Sequence, residues 1–97
     1  MEHLIILVTY TVKSGMREAF LRDVEASGIL EKIRHEDGFV RYDYYKPTKE
    51  DNQLLLVEEW LSAEQQERHL LKPHMAQLKK IKDLYVTDTR LERVRPE

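Results

Sequence analysis

The first apolar stretch alternates. Leu4, Ile6, Val8, Tyr10 and Val12 share one face, and Ile5, Leu7, Thr9 and Thr11 the other, which predicts a strand over 4–12 with both faces covered for half its length. Lys13-Ser14-Gly15 is a turn. Met16, Phe20, Val24, Ser27, Leu30 and Ile33 then recur at helical spacing, opposite Arg17, Glu18, Arg22 and Glu25. One amphipathic helix is expected from Met16 to about Arg34, bent or interrupted at Gly28. His35-Glu36-Asp37-Gly38 ends it, with Gly38 suited to a left-handed closing residue. Phe39 to Lys46 reads as a second strand, with Phe39, Arg41, Asp43 and Tyr45 on one face and Val40, Tyr42 and Tyr44 on the other. Pro47 to Asn52 is a polar hairpin loop. Gln53 to Leu61 is a third strand, rich in leucine and valine and carrying the single tryptophan, Trp60.

Ser62, followed three residues later by Gln65, has the form of a capping box and starts a helix from about Ala63 to Leu71. Pro73 fits the first turn of a new helix and no interior position. Met75, Leu78, Ile81 and Leu84 give that helix its stripe, and Tyr85 to Val94 is a charged last strand. The order strand, helix, strand, strand, helix, strand is the βαββαβ pattern of an α+β, ferredoxin-like fold with an antiparallel sheet. The helices cover one sheet face. The other, with Ile5, Leu7, Leu55, Val57 and Leu61, is too apolar to leave wet, and a homodimer joined sheet to sheet is the expected cover.

The 97 residues make a single domain, 1–97. A net charge of −2 with mixed signs offers no basic excess for a nucleic-acid polyanion. The absence of cysteine rules out disulfides, thiolate nucleophiles and cysteine metal sites. Leu4 to Val8 is too short for a signal-peptide core or a membrane span, so a cytoplasmic protein without membrane attachment is expected. No Gly-rich phosphate loop follows the first strand, and no cofactor is expected.

The chemistry concentrates in Glu58 to Met75, EEWLSAEQQERHLLKPHM, which contains two of the four histidines. His69 near a helix end has the residue type for a general acid or base at neutral pH, or else caps exposed carbonyls. His74 opens the next helix and can bind substrate or bond the preceding loop. Their five-residue spacing across a proline is not that of a helical metal pair, and no third ligand is apparent, so no metal is expected. Trp60 reads as a cavity wall. Glu58, if buried, needs a partner, an arginine such as Arg41 or Arg90 or a substrate hydroxyl. Tyr42, Tyr44 and Tyr45 lack the basic surroundings of RNA-stacking aromatics.

Three motifs carry a resemblance. Glu36-Asp37-Gly38 followed by Tyr42 matches E-x-G-x-x-x-Y, Glu58-Glu59-Trp60 matches E-x-W, and His69 through Pro73 to His74 matches H-x-x-x-P-H. The chain resembles the antibiotic biosynthesis monooxygenase domains, small dimeric α/β-barrel proteins that include quinol monooxygenases. The resemblance implies one of several activities: cofactor-free oxygenation of phenols, haem degradation, isomerisation of a sugar phosphate, or no catalysis. The haem-degrading branch uses an asparagine on the first strand, where this chain has Thr9 or Thr11. The expectation is a cofactor-independent monooxygenase of a small aromatic or quinol-type compound, with His69 as acid–base and Trp60, His74, Glu58, Tyr42 and Thr9 around the substrate. An isomerase of a small carbonyl or sugar-phosphate compound, or a non-catalytic dimeric binding module, are the alternatives. In any enzyme reading the cavity should lie between the helix side of the sheet and 62–74, and His69→Ala should cost turnover with little loss of stability.

Overall fold

The computed structural model describes residues 3–94. Strands β1 (Leu4–Val12), β2 (Phe39–Tyr45), β3 (Gln53–Trp60) and β4 (Val86–Val94) form one antiparallel sheet in the order β2-β3-β1-β4. Helices α1 (Arg17–Ala26), α2 (Ile29–Arg34), α3 (Ala63–Leu70) and α4 (Pro73–Tyr85) complete the ferredoxin-like α+β arrangement. The smallest extent, 17 Å, fits one layer of helices on one sheet and leaves the other face open.

The alternation of β1 holds throughout. Leu4, Ile6, Val8, Tyr10 and Val12 are buried, while Ile5, Leu7, Thr9 and Thr11 are half-buried. Phe20, Val24, Ile29, Ile33, Leu54, Leu56, Trp60 and Leu78 complete the core against the helices. The expected long first helix is two helices. Gly28 adopts φ +78°, a left-handed conformation that breaks the hydrogen-bond ladder, and α2 restarts there.

Two strand details differ from the pattern. Phe39 was expected beside Arg41, but the β2–β3 register shifts between them: Phe39 pairs with Trp60 and Arg41 with Glu59. That irregularity takes up one residue and returns Phe39 to the core face, where its ring meets Trp60 edge-on at 5.9 Å. Tyr85 was expected to begin β4 and instead ends α4, packing against Phe20 and donating its hydroxyl to Asp23. An aromatic residue at a helix–strand boundary fits either pattern, and packing decides.

The turn that positions the site is 35–38. Gly38, at φ +81°, accepts from the Leu61 amide at 2.8 Å, which ties the start of β2 to the end of β3. A Cβ there would stand 2.4 Å from the Gln65 side chain, so α3 lies against this turn only because the residue is glycine. Ser62 caps α3 as its sequence suggests, accepting from the Gln65 backbone N–H at 3.2 Å, and its hydroxyl donates to the side-chain Oε1 of Gln65 at 3.0 Å. Pro73 opens α4. Among the described residues no helix is long and apolar enough to cross a membrane.

Candidate functional site

Glu36 follows α2, His69 lies in the last turn of α3, and His74 in the first turn of α4. The fold brings all three together. Oε2 of Glu36 lies 2.9 Å from Nδ1 of His69 and 2.7 Å from Nε2 of His74. A carboxylate only accepts, so each imidazole donates through the named nitrogen. The side chains of His69 and Glu36 are 1% and 5% exposed, so these are buried, charge-assisted hydrogen bonds.

His69 is held on its other sides as well. Its ring lies over Trp60, with centroids 4.5 Å apart and planes 36° from parallel, and meets Tyr42 edge-on at 5.9 Å. Its Nε2 is buried without a hydrogen-bond partner. Oε1 of Glu58 lies 3.9 Å away, too far for a hydrogen bond, and accepts instead from Nε1–H of Trp60 at 3.1 Å. Burial pushes the Glu58 carboxyl above its ordinary value, opposed by the Trp60 hydrogen bond and by His69. Glu58 was expected to pair with Arg41 or Arg90. Register overrules this: Arg41 lies opposite Glu59 and pairs with it at 3.8 Å, while Glu58 turns to the core.

His69, Glu58, Tyr42 and Gln66 line a cavity of ≈ 200 Å³ together with Tyr10 and Lys82, and its apolar walls include Val8 and Met75. Thr89, Leu91 and Arg93 of β4 border it, so the cavity runs out to the edge strand. Oε1 of Gln66 is a second buried atom without a partner. Tyr42 and Tyr10 keep their protons far into alkali because burial raises both phenols. A larger cavity of ≈ 530 Å³ lies elsewhere, lined by Leu21, Leu30 and Tyr44 among others, and holds none of the histidines.

Of the residues singled out in the sequence, His69, Glu58 and Tyr42 line this cavity. Trp60, expected as a wall, is fully buried behind His69 as its stacking platform. His74 stands one residue further back, beyond Glu36. Thr9 is on the opposite sheet face: it pairs with Leu55 and Arg90, while Val8 and Tyr10 point to the helices. The parity of β1 separates Thr9 from the site. Glu36 was missing from the expected set, although the E-x-G motif contained it. Only the turn at Gly38 shows what that carboxylate holds.

Glu36 is also the third ligand that the histidine spacing did not supply, since the three ligand atoms lie within 4.8 Å of one another. Two imidazoles and a carboxylate are a donor set that divalent transition metals accept. Here, however, the contacts of 2.7 and 2.9 Å are hydrogen-bond lengths, and a cation would have to displace both protons and spread the groups.

The sequence profile described as antibiotic biosynthesis monooxygenase matches residues 3–80, which span all three motifs. The chain belongs to this family. No curated protein matches it in sequence. Among solved structures, PA3566 from Pseudomonas aeruginosa superposes with a TM-score of 0.86 at 20% identity, covering 100% of this chain and 96% of that one. A conserved protein from Methanosarcina mazei Go1 gives 0.87 at 17% identity, with 100% and 95% covered. SnoaB, a cofactor-independent oxygenase from Streptomyces nogalater, gives 0.83 at 16% identity, with 100% and 95% covered. At these identities the likeness establishes the fold.

Proposed function

We propose that the protein is a cofactor-independent monooxygenase of a small aromatic, quinol-type compound, with His69 as the proton acceptor. One observation carries this reading: a buried histidine, oriented from behind by a carboxylate and stacked on tryptophan, keeps an unpartnered nitrogen and lines a cavity with apolar walls. Such a site can take the proton of a phenol and keep water from the resulting anion. Family membership and the cofactor-independent oxygenase SnoaB among its structural neighbours support the same reading.

In the reaction envisaged, the phenol O–H proton passes to Nε2 of His69. The electron-rich ring carbon para to the oxygen, one that carries hydrogen, then binds dioxygen. One oxygen atom stays on that carbon as a carbonyl, and the other leaves as water with the two hydrogens lost by the substrate. The product is the quinone. Tyr42 would act as a wall and hydroxyl donor, and Glu58 as the nearby carboxyl that steadies the protonated imidazole.

The protein is further proposed to work as a homodimer. Ile5, Leu7 and Leu55 lie half-buried on the open sheet face, and a second copy placed against it would bury them. The experiment is oxygen uptake with 1-naphthol, comparing the wild type with His69→Gln. The glutamine keeps a hydrogen-bonding side chain but cannot take a proton near neutral pH. Oxygen uptake lost in the variant supports the assignment. Turnover without oxygen would make the protein an isomerase, and binding without turnover a binding module.

A further inference from the structure

Both imidazoles meet a single oxygen of Glu36. Because that oxygen accepts, the His69 proton lies on Nδ1, and a neutral ring then has only a lone pair to offer at Nε2. This nitrogen is buried and unpartnered, 3.9 Å from Oε1 of Glu58, and both residues line the cavity. Oε1 of Gln66, buried and unpartnered on the same cavity, is a second acceptor. The Trp60 indole N–H, the nearest donor behind the wall, is already given to Glu58. Nε2 of His69 and Oε1 of Gln66 are thus two acceptors left without a donor, on a wall whose other polar groups include Tyr10, Tyr42 and Lys82.

We propose that Glu36 is the positioning residue of this site: by holding the Nδ1 proton of His69 it leaves Nε2 a bare acceptor, so the site selects ligands presenting an acidic hydroxyl over the same skeleton with an ether oxygen. A ligand without that hydrogen leaves the nitrogen buried and unpaired, and loses affinity accordingly. It also sets the product apart from the substrate. Once the hydroxyl becomes a carbonyl, two acceptors face each other, and release is favoured. This rests on His69 meeting the ligand as proposed above, and needs no turnover.

The test is binding without oxygen. Under argon, 1-naphthol is expected to bind the wild type roughly ten- to a hundredfold more tightly than 1-methoxynaphthalene, the effect of one unpaired buried acceptor. Glu36→Gln, which can offer His69 an N–H in place of a carboxylate oxygen, should abolish that preference. Equal affinities in the wild type, binding of neither probe, or an undiminished preference in E36Q overturns the proposal. A second measurement does not depend on the variant folding. Nitrogen-15 NMR of the wild-type histidine side chains should show the Nδ1–H form for His69 near neutral pH, and an Nε2–H form or a doubly protonated ring overturns it equally. A naphthol preference with no oxygen uptake would count against the oxygenase reading alone.

Discussion

The two faces of the sheet are made from alternate residues of the same strands, yet they differ in kind. On the helix side Ile6, Val8 and Tyr10 are 1%, 3% and 4% exposed, and every apolar group has neighbours from another element. On the other side Ile5 and Leu7 are just as apolar but only half-buried, flanked by Thr9, Thr11 and the charged outer positions of β4. The helix side also contains the polar exceptions, Glu58, Gln66 and His69, two of which have an unpartnered atom. Burial on the first face is complete enough to make a polar group expensive, so its polar groups point to a purpose. The open face has one unpartnered buried polar atom among the described residues, Nε of Arg41 beside Glu59. Its apolar residues ask for a partner surface and nothing chemical.

Neighbouring residues test the comparison most sharply. Ile6→Ala should cost about 2–5 kcal/mol in chemical denaturation, the usual range for emptying a core site. Leu7→Ala should cost clearly less at low protein concentration, and its cost should grow with concentration if a second copy covers it. Equal costs at all concentrations would mean that the faces do not differ in this way.

The next largest effect concerns the site. His69→Gln should lower oxygen-coupled turnover roughly a hundredfold or more, the scale of a lost general base. The contacts of His69 argue for a larger effect of His69→Ala on stability than the small one expected from the sequence. That change empties the space over Trp60 and removes one of two donors to buried Glu36, which costs about 1–3 kcal/mol for the unpaired group alone. His74→Ala removes the other donor, and its milder burial predicts a smaller loss.

Leu7→Arg probes the open face with little demand on the core. Sedimentation should show the mass halved relative to the wild type while the circular dichroism spectrum is kept. A wild type that is already monomeric at micromolar concentration would remove the proposed dimer.

The smallest effect is a pH dependence. Burial raises the Glu58 carboxyl, so its neutral form is the one the fold favours. That contribution is complete below the ordinary carboxylate range and is lost as pH rises through the raised value. Glu58→Gln should therefore melt higher than the wild type near neutral pH, with the gap closing towards acid. A constant gap would show that the carboxyl does not titrate differently in the fold.

Much of the molecule was legible beforehand because local periodicity survives folding. The bounds of β1, the cap at Ser62, the restart at Pro73 and the break at Gly28 follow from side-chain spacing and backbone freedom, which a residue carries wherever it sits. The failures share a cause. Phe39 changed face through a register shift, Tyr85 was claimed by α4, and Thr9 fell on the side away from the cavity. Each is a matter of parity or packing against a distant element.

The site divides the same way. The sequence by itself determined which groups were available: an imidazole near the end of one helix, another opening the next, a tryptophan two residues after a glutamate, and a glycine where the chain must reverse. The tertiary structure alone decided that Glu36, 33 residues before His69, would accept from its Nδ1–H and leave Nε2 without a partner. Hydrogen-bond direction depends on which atoms meet at about 3 Å, and no spacing along the chain encodes that meeting.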